Sequence, residues 1–379
     1  MPTPIIKRLN FIDLFAGAGG LSCGLEMAGL RCLLGVDFNK DAMKTFAANH
    51  KDAQAWCGDI SLLTAPKLKK ILDGRTIHLV VGGPPCQGFS TVGIGNPDDQ
   101  RNKLFLQFVR IVRLTKPLYI LLENVTGLLA KKNEETLKAI FEQFQKLGYN
   151  MNVKALCSEN YGVPERRRRT IILGSRINDV VVFPQPSHNI LIGKNFIPPV
   201  SVGEAFQKLT SKSNAILNHD IVKASIKNDL DLQRLSHIPE GCGIRYEKDE
   251  KVLPASLRLG IDWENLRENR FRQCKYQRLD RKKPSPTIMT NGSTYFHPTE
   301  NRCLTVREGA ALQSFPNDFR FEGNVTSQWR QVGNAVPPLM AKALGKVILQ
   351  MLKDAEKTKR RPIKVSSSIK LERSKAFVY

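Results

Sequence analysis

Cys86 follows two glycines and two prolines in the stretch VVGGPPCQGFS, just past an apolar run that ends at Val81. A thiol held on a stiff turn after a strand can act as a nucleophile when nearby positive charge lowers its pKa. The commoner role for a cysteine is that of a small buried apolar residue. Beyond it, Gly93, Gly95, Asn96 and Pro97 make a loop able to hinge over a substrate. Glu123 and Asn124 end a second apolar run, LLENV. A carboxyl there either has its pKa raised by burial, and can donate a proton near neutrality, or forms a structural ion pair. In VPERRRRTIIL, Arg167 and Arg169 stand two apart at the start of a strand-like run, a spacing that predicts one shared face. Otherwise the run is a solvated basic surface.

A second constellation lies nearer the N-terminus. DLFAGAGG, from Asp13 to Gly20, carries a strand into a glycine turn and then a helix. Gly17 and Gly19 fit the first two places of the dinucleotide fingerprint, but the third falls on Ser22, so that fingerprint fails. Asp37 ends the next strand, where a carboxylate can hold ribose hydroxyls. Asp59, in CGDI after a third strand, can accept from an adenine amino group. A nucleoside cofactor without a pyrophosphate suits this set, S-adenosyl-L-methionine being the obvious one. The glycine turn alone is weak evidence, because many strand-to-helix turns carry glycine for packing only.

The elements that must position these residues alternate. LNFIDLF, CLLGVDF, TIHLVVGG, PLYILLENV and RTIILGS read as strands. GGLSCGLEMAGL, KDAMKTFAANH, NKLFLQFVRIVRLT and EETLKAIFEQFQKLGY read as helices between them. That alternation predicts an α/β fold with a mostly parallel sheet, ligands lying beyond the carboxyl ends of its strands. Near Phe183 the texture becomes proline-rich and irregular, which predicts a separate small domain. Later, TVREGAALQSF reads as a helix capped by threonine. PPLMAKALGKVILQMLKDAEK reads as a helix with prolines in its first turn.

The 379 residues carry 58 lysines and arginines against 35 aspartates and glutamates, a net charge of +23. A compact domain needs a magnitude of only about 2–8 for solubility, so a polyanionic partner is favoured, most simply nucleic acid. No apolar run approaches the ~20 residues of a membrane span, and the N-terminus reads as the start of the fold. The eight cysteines are scattered, with no C-x-x-C pair and no histidine spaced for zinc, a pattern of reducing compartments.

DLFAGAGG, GGPPCQGFS, ENV, the Arg-x-Arg stretch and QVGNAVPP occur in this order. With them the chain closely resembles the DNA cytosine-5 methyltransferases, over roughly residues 8–176 and 279–350. The resemblance implies a Rossmann-like S-adenosyl-L-methionine-dependent methyltransferase domain and a small irregular target-recognition domain. Cys86 matches the nucleophile that attacks C6 of cytosine, and Glu123 the carboxyl that binds N3 and the amino group. Arg169 matches the arginine that holds O2 of the flipped base, and Arg167 its companion. Phe15 matches the aromatic that stacks on the cofactor adenine. Ala16, Gly17, Gly19, Gly20 and Leu21 belong to the cofactor turn, Asp37 and Phe38 to the ribose segment, Asp59 and Ile60 to the adenine contact. Pro84, Leu104, Asn334 and Ala335 complete the implied cofactor contacts. Glu165 stands where the family usually has glutamine.

The expected layout is a catalytic domain over 1–185, target recognition over 186–275, a return segment over 276–352 and a basic flexible tail over 353–379. The expected partner is double-stranded DNA, with no membrane. A monomer in the cytoplasm, associated with the nucleoid, would protect host DNA beside a cognate restriction endonuclease. Two competing readings are a tRNA cytosine-5 methyltransferase and a DNA-binding regulator without activity.

Overall fold

NFIDL and LVVG become neighbouring parallel strands, β1 (Asn10–Leu14) and β4 (Leu79–Gly82), near the middle of a seven-stranded sheet. On the β1 side lie β2 (Arg31–Asp37) and β3 (Gln54–Cys57). On the β4 side follow β5 (Tyr119–Val125), β7 (Arg168–Ser175) and the edge strand β6 (Asn150–Cys157). Every pairing is parallel except those of β7, which runs antiparallel to β5 and β6. The chain builds outward one way from β1 and the other way from β4. The crevice beyond the carboxyl ends of these two strands is therefore the sheet's switch point, where such folds take ligands. These coordinates are a computed structural model, which describes residues 8–84, 100–178, 180–192, 195–209 and 216–357.

The strands read as near-continuous apolar runs because parallel strands are covered on both faces. The crossover helices are α1 (Gly20–Met27), α2 (Lys40–Asn49), α3 (Ala65–Leu72), α4 (Gln100–Thr115) and α5 (Glu134–Gln145). Phe105 and Phe108 of α4 and Phe141 and Phe144 of α5 join Ile12, Val80 and Ile120 of the sheet in one core. Phe144 meets Phe105 and Phe108 edge-on, with ring centres 5.9 and 6.1 Å apart. Neither α3 nor β6 is among the elements expected from sequence.

The chain divides into two compact units. The first takes the described residues of Met1–Tyr161, Arg168–Ser187 and Ala335–Tyr379, the second those of Gly162–Arg167 and His188–Asn334. The second unit has short ladders only: β8 (Ile190–Ile192) with β9 (Asn195–Ile197), and β10 (Ile244–Tyr246) with β11 (Arg270–Lys275). Its helices are α6 (Val202–Gln207), α7 (Asp229–Ser236), α8 (Glu247–Glu250), α9 (Val306–Leu312) and α10 (Val325–Asn334). Irregular backbone leaves buried carbonyls that no ladder satisfies. Arg278 adds donors from its side chain, to Ile238 O at 2.8 Å, Leu235 O at 2.9 Å, His297 O at 3.0 Å and Glu300 O at 2.7 Å. Arg307 does the same for Leu217, Pro316 and Phe319. Thr305 caps α9 through a capping box with Glu308, as its sequence predicts.

These contacts move one boundary. Residues 276–334, expected to rejoin the first unit, group with the second, where Arg278 ties them to Leu235 and Ile238 and Arg307 to Leu217. The return comes at Ala335 and continues into α11 (Pro338–Lys357), whose first residue is a proline, as expected. α11 runs five residues past the expected start of the tail, and 358–379 lie outside the described residues. Val325–Lys357 also contains a stretch apolar enough to cross a membrane by length and composition, contrary to the expectation that no apolar run approaches that length. More than half of that stretch is buried in the fold. α11 packs on α1 at two glycines. A Cβ on Gly24 would lie 2.1 Å from Pro338 O, and one on Gly345 2.7 Å from the Ala28 methyl.

Candidate active site

The turn after β1 is built from backbone that side chains rarely allow. Phe15, Gly17 and Gly19 have φ of 62°, 55° and 91°. The two glycines serve different ends. A Cβ on Gly19 would collide with His50 and Phe46, so this glycine lets α1 pack on α2. At Gly17 nothing among the described residues lies within 4 Å of that point, so its face is open to them. Asp37 locks the turn from the end of β2. Its Oδ2 accepts from Gly17 N at 2.9 Å and its Oδ1 from Asn39 N at 2.8 Å. Phe38, beside it, is 77% exposed, an unusual amount for an aromatic ring. Asp59 is exposed at the end of β3 and accepts from Ser61 N at 2.8 Å. Ala18, Leu21 and Ile60 point their side chains into the protein.

Beneath the turn lies a group that sequence reasoning missed. Asp13 of β1 is 1% exposed, and its Oδ2 accepts from Ser22 Oγ of α1 at 2.6 Å. Burial pushes its carboxyl up from an ordinary 3.8 to about 7; Ser22 pulls the other way, and the charges of Asp37 and Glu26 add to the rise. In sequence it is the first letter of DLFAGAGG, and only its place inside a buried strand distinguishes it.

The second cluster lies at the ends of β4 and β5. A Cβ on Gly82 would fall 2.1 Å from Leu14 O, so glycine is what lets β4 lie against β1. A Cβ on Gly83 would come 3.1 Å from Glu123 Oε2, so the Glu123 carboxylate reaches the turn three residues before Cys86. Glu123 Oε1 pairs with Arg169 Nε at 2.8 Å, and both side chains are mostly buried. The antiparallel register of β5 and β7, with Val125 opposite Arg169, brings them together. Asn124 adds a tie that its place in the ENV stretch did not disclose: Nδ2 donates to Pro84 O at 3.0 Å. Cys86 itself, with the loop that follows it, lies outside the described residues.

Arg167 does not share a face with Arg169. β7 begins at Arg168, so Arg167 precedes the strand. It is 1% exposed, and its guanidinium donates to Gly333 O at 2.7 Å and Ile288 O at 3.4 Å within the second unit. Glu165, fully buried, accepts from Ile288 N at 2.6 Å and lies 3.7 Å from Arg167. Leu104, on α4, packs partly buried against the first unit's core. Asn334 ends α10 in the second unit, whereas Ala335 opens the return to the first. Among the described residues, the seven cysteines are free thiols.

The sequence pattern of the family described as C-5 cytosine-specific DNA methylase matches residues 9–350. The chain belongs to that family. This DNA methylase is 39% identical over 350 residues to Type II methyltransferase M1.HphI of Haemophilus parahaemolyticus, a match covering 90% of this chain and 87% of that one. It is 33% identical to Type II methyltransferase M.XorII of Xanthomonas oryzae, covering 90% and 85%. Among solved structures, a prophage-encoded E. coli protein provisionally described as a DNA modification methyltransferase superposes with a TM-score of 0.65 at 28% identity, covering 91% of this chain and all of that one. A Spodoptera frugiperda DNMT2 structure, at 18% identity and a TM-score of 0.57, shares the fold. The DNA methylase is therefore an enzyme that methylates cytosine in DNA at C5, and the seven-stranded sheet is its methyltransferase fold.

Proposed function

We propose that this DNA methylase modifies a flipped-out cytosine at a specific duplex sequence, with Cys86 as nucleophile and Glu123 and Arg169 as the groups that hold the base. The observation that carries this reading is the Glu123–Arg169 pair at 2.8 Å, with Glu123 Oε2 beside Gly83, three residues before Cys86. The arginine across the sheet was absent from the reading of Glu123 by its strand alone. It orients Oε1 and leaves Oε2 directed at the turn.

The residues fit a nucleoside cofactor. Gly17 has an open face, Asp37 locks the turn, Phe38 offers an exposed ring and Asp59 an exposed carboxylate. Phe15, Ala16, Gly17, Gly19, Gly20 and Leu21 would line S-adenosyl-L-methionine along the turn, and Asp37 and Phe38 would take the ribose side. Asp59 and the backbone of Ile60, whose side chain is buried in the core, would face the adenine, with Pro84, Leu104, Asn334 and Ala335 as further contacts. When bound, it supplies a methyl group on a sulfonium.

A base inside a duplex is unreachable, so the cytosine leaves the stack. The Cys86 thiolate adds to C6, and the electron pair moves to C5. Glu123 shares a proton at N3, which drains charge from the ring, while Arg169 holds O2. C5 would take the methyl group as its carbon–sulfur bond breaks, the electron pair staying with sulfur as a neutral thioether; a base removes the C5 proton, its electron pair re-forms the C5–C6 double bond, and the Cys86 thiolate leaves. Arg167, with its donors on Gly333 and Ile288, serves as a positioning residue here and not as a base contact. The second unit reads the DNA sequence. The Type II names of the relatives support a role in restriction–modification, and the same reading takes the protein as a monomer acting in the cytoplasm beside a cognate endonuclease.

Bisulfite sequencing of DNA from a host expressing the protein tests the reading. A single short motif should be methylated at C5, and the Cys86→Ala variant should leave it unmodified while still binding the duplex. Methylation persisting in that variant would place the nucleophile elsewhere.

A further inference from the structure

Arg110 of α4 commits all three guanidinium nitrogens. Nε donates to Gln107 Oε1 at 2.6 Å, Nη1 to Leu63 O at 2.9 Å and Nη2 to Ile60 O at 2.9 Å. Both carbonyls belong to one short segment. It is a single 3-10 turn, Ile60–Leu62, with Asp59 as its N-cap and Leu63 as its C-cap. A turn of three residues gains too few internal bonds to hold its own shape.

Three anchors hold it. Ile60 and Leu63 bury their side chains in the main core. Asp59 Oδ1 accepts from Ser61 N. The polar side of the backbone is held from α4, by a planar fork that spans two carbonyls at once. The Asp59 side chain stays exposed, and no hydrogen bond to Oδ2 is found among the described residues.

We propose that Arg110 is a positioning residue of the cofactor site: it fixes the turn that presents Asp59 and Ile60 to the adenine, and so sets cofactor affinity without touching the cofactor. The inference rests on the reading that Asp59 and Ile60 face the adenine. It also makes α4 a shared support, because Leu104, another expected cofactor contact, lies on the same helix.

Calorimetric titration with S-adenosylhomocysteine, and KM and kcat for methyl transfer, separate the possibilities. Arg110→Met should weaken binding and raise the cofactor KM by about tenfold, as expected for two lost bonds from a charged donor. Its kcat at saturating cofactor should stay within about twofold. Arg110→Lys should recover part of the affinity, because an ammonium can serve one carbonyl but not both. If the Met variant does not fold, the Lys variant carries the test through its intermediate Kd at unchanged melting temperature. A merely structural arginine would lower the melting temperature and leave Kd and KM alone, and that result overturns the proposal. Asp59→Ala distinguishes the two levels. Weak binding by Asp59→Ala with normal binding by both Arg110 variants removes the Arg110 inference only. Normal binding by Asp59→Ala removes the adenine reading on which it rests.

Discussion

Asp13 gives the folded protein a pH dependence that one substitution should abolish. It is fully enclosed, and its carboxyl titrates near 7 in place of 3.8, first because of burial. The sign follows from proton binding. Between these two values the folded state holds a proton that the unfolded state has lost, so stability falls as pH rises from about 4 to about 7. A difference of this size costs the folded state about 4 kcal/mol once Asp13 is ionised. Asp13→Asn removes the charge and keeps an oxygen for Ser22 Oγ, whose bond is 2.6 Å long. Its amide hydrogens need acceptors of their own, which lowers the net gain to about 2–3 kcal/mol. Denaturant unfolding of wild type and variant at pH 5.5 and pH 8 measures it. The variant should be the more stable at pH 8 and close to wild type at pH 5.5, where only about 2 kcal/mol of the wild-type cost has developed and the unpartnered amide hydrogens offset most of it. An equal shift at both pH values, or a less stable variant at pH 8, would refute the account of this carboxyl.

Three further outcomes follow from the same coordinates. Glu123→Gln should lower kcat by about 10²–10⁴, the usual worth of a positioned proton donor, with S-adenosylhomocysteine affinity unchanged; a collapse of that affinity would assign Glu123 to the cofactor side. Gly24→Ala puts a methyl carbon 2.1 Å from the Pro338 carbonyl, so α1 and α11 must separate. Overpacking of about 1–3 kcal/mol outweighs the ~1 kcal/mol gained in helix propensity, and thermal melting should show a net loss without a change in kcat. Arg278→Met removes a donor from four carbonyls, two of which (Leu235 O and Glu300 O) keep a backbone donor, and should expose the second unit to limited proteolysis between residues 235 and 300, leaving the first unit's fragments intact.

What could be read from sequence follows from how each element is buried. β1, β2, β4, β5 and β7 were legible because strands covered on both faces are nearly all apolar. β6 was not, because an edge strand with Asn150, Asn152 and Lys154 mixes polar residues into its run. α10 carries Val325, Trp329 and Val332 amid polar residues, and its last residues were read as a binding stretch instead. The glycine turn, Asp37 and Glu123 stood out because their residue types are unusual where they occur. Arg169 was found for its spacing from Arg167, yet the spacing misled, since the strand starts one residue after Arg167. Arg110 and Asn124 act through partners far away in the chain, which no local pattern reveals, and Asp13 is set apart only by its burial inside a strand. The boundary at residue 275 was misplaced for a related reason: arginine-to-carbonyl bonds, and not regular structure, assign 276–334 to the second unit.

DNA carrying 5-fluorocytosine at the target position tests the central claim most directly. Fluorine does not block addition of the Cys86 thiolate to C6, and methyl transfer to C5 still follows. Release then requires loss of the C5 substituent as a cation, which hydrogen permits and fluorine does not. The account predicts a protein–DNA adduct that survives denaturing electrophoresis, requires S-adenosyl-L-methionine and is absent from the Cys86→Ala variant. On a duplex whose unfluorinated counterpart is methylated, failure to trap such an adduct would contradict the proposed covalent mechanism.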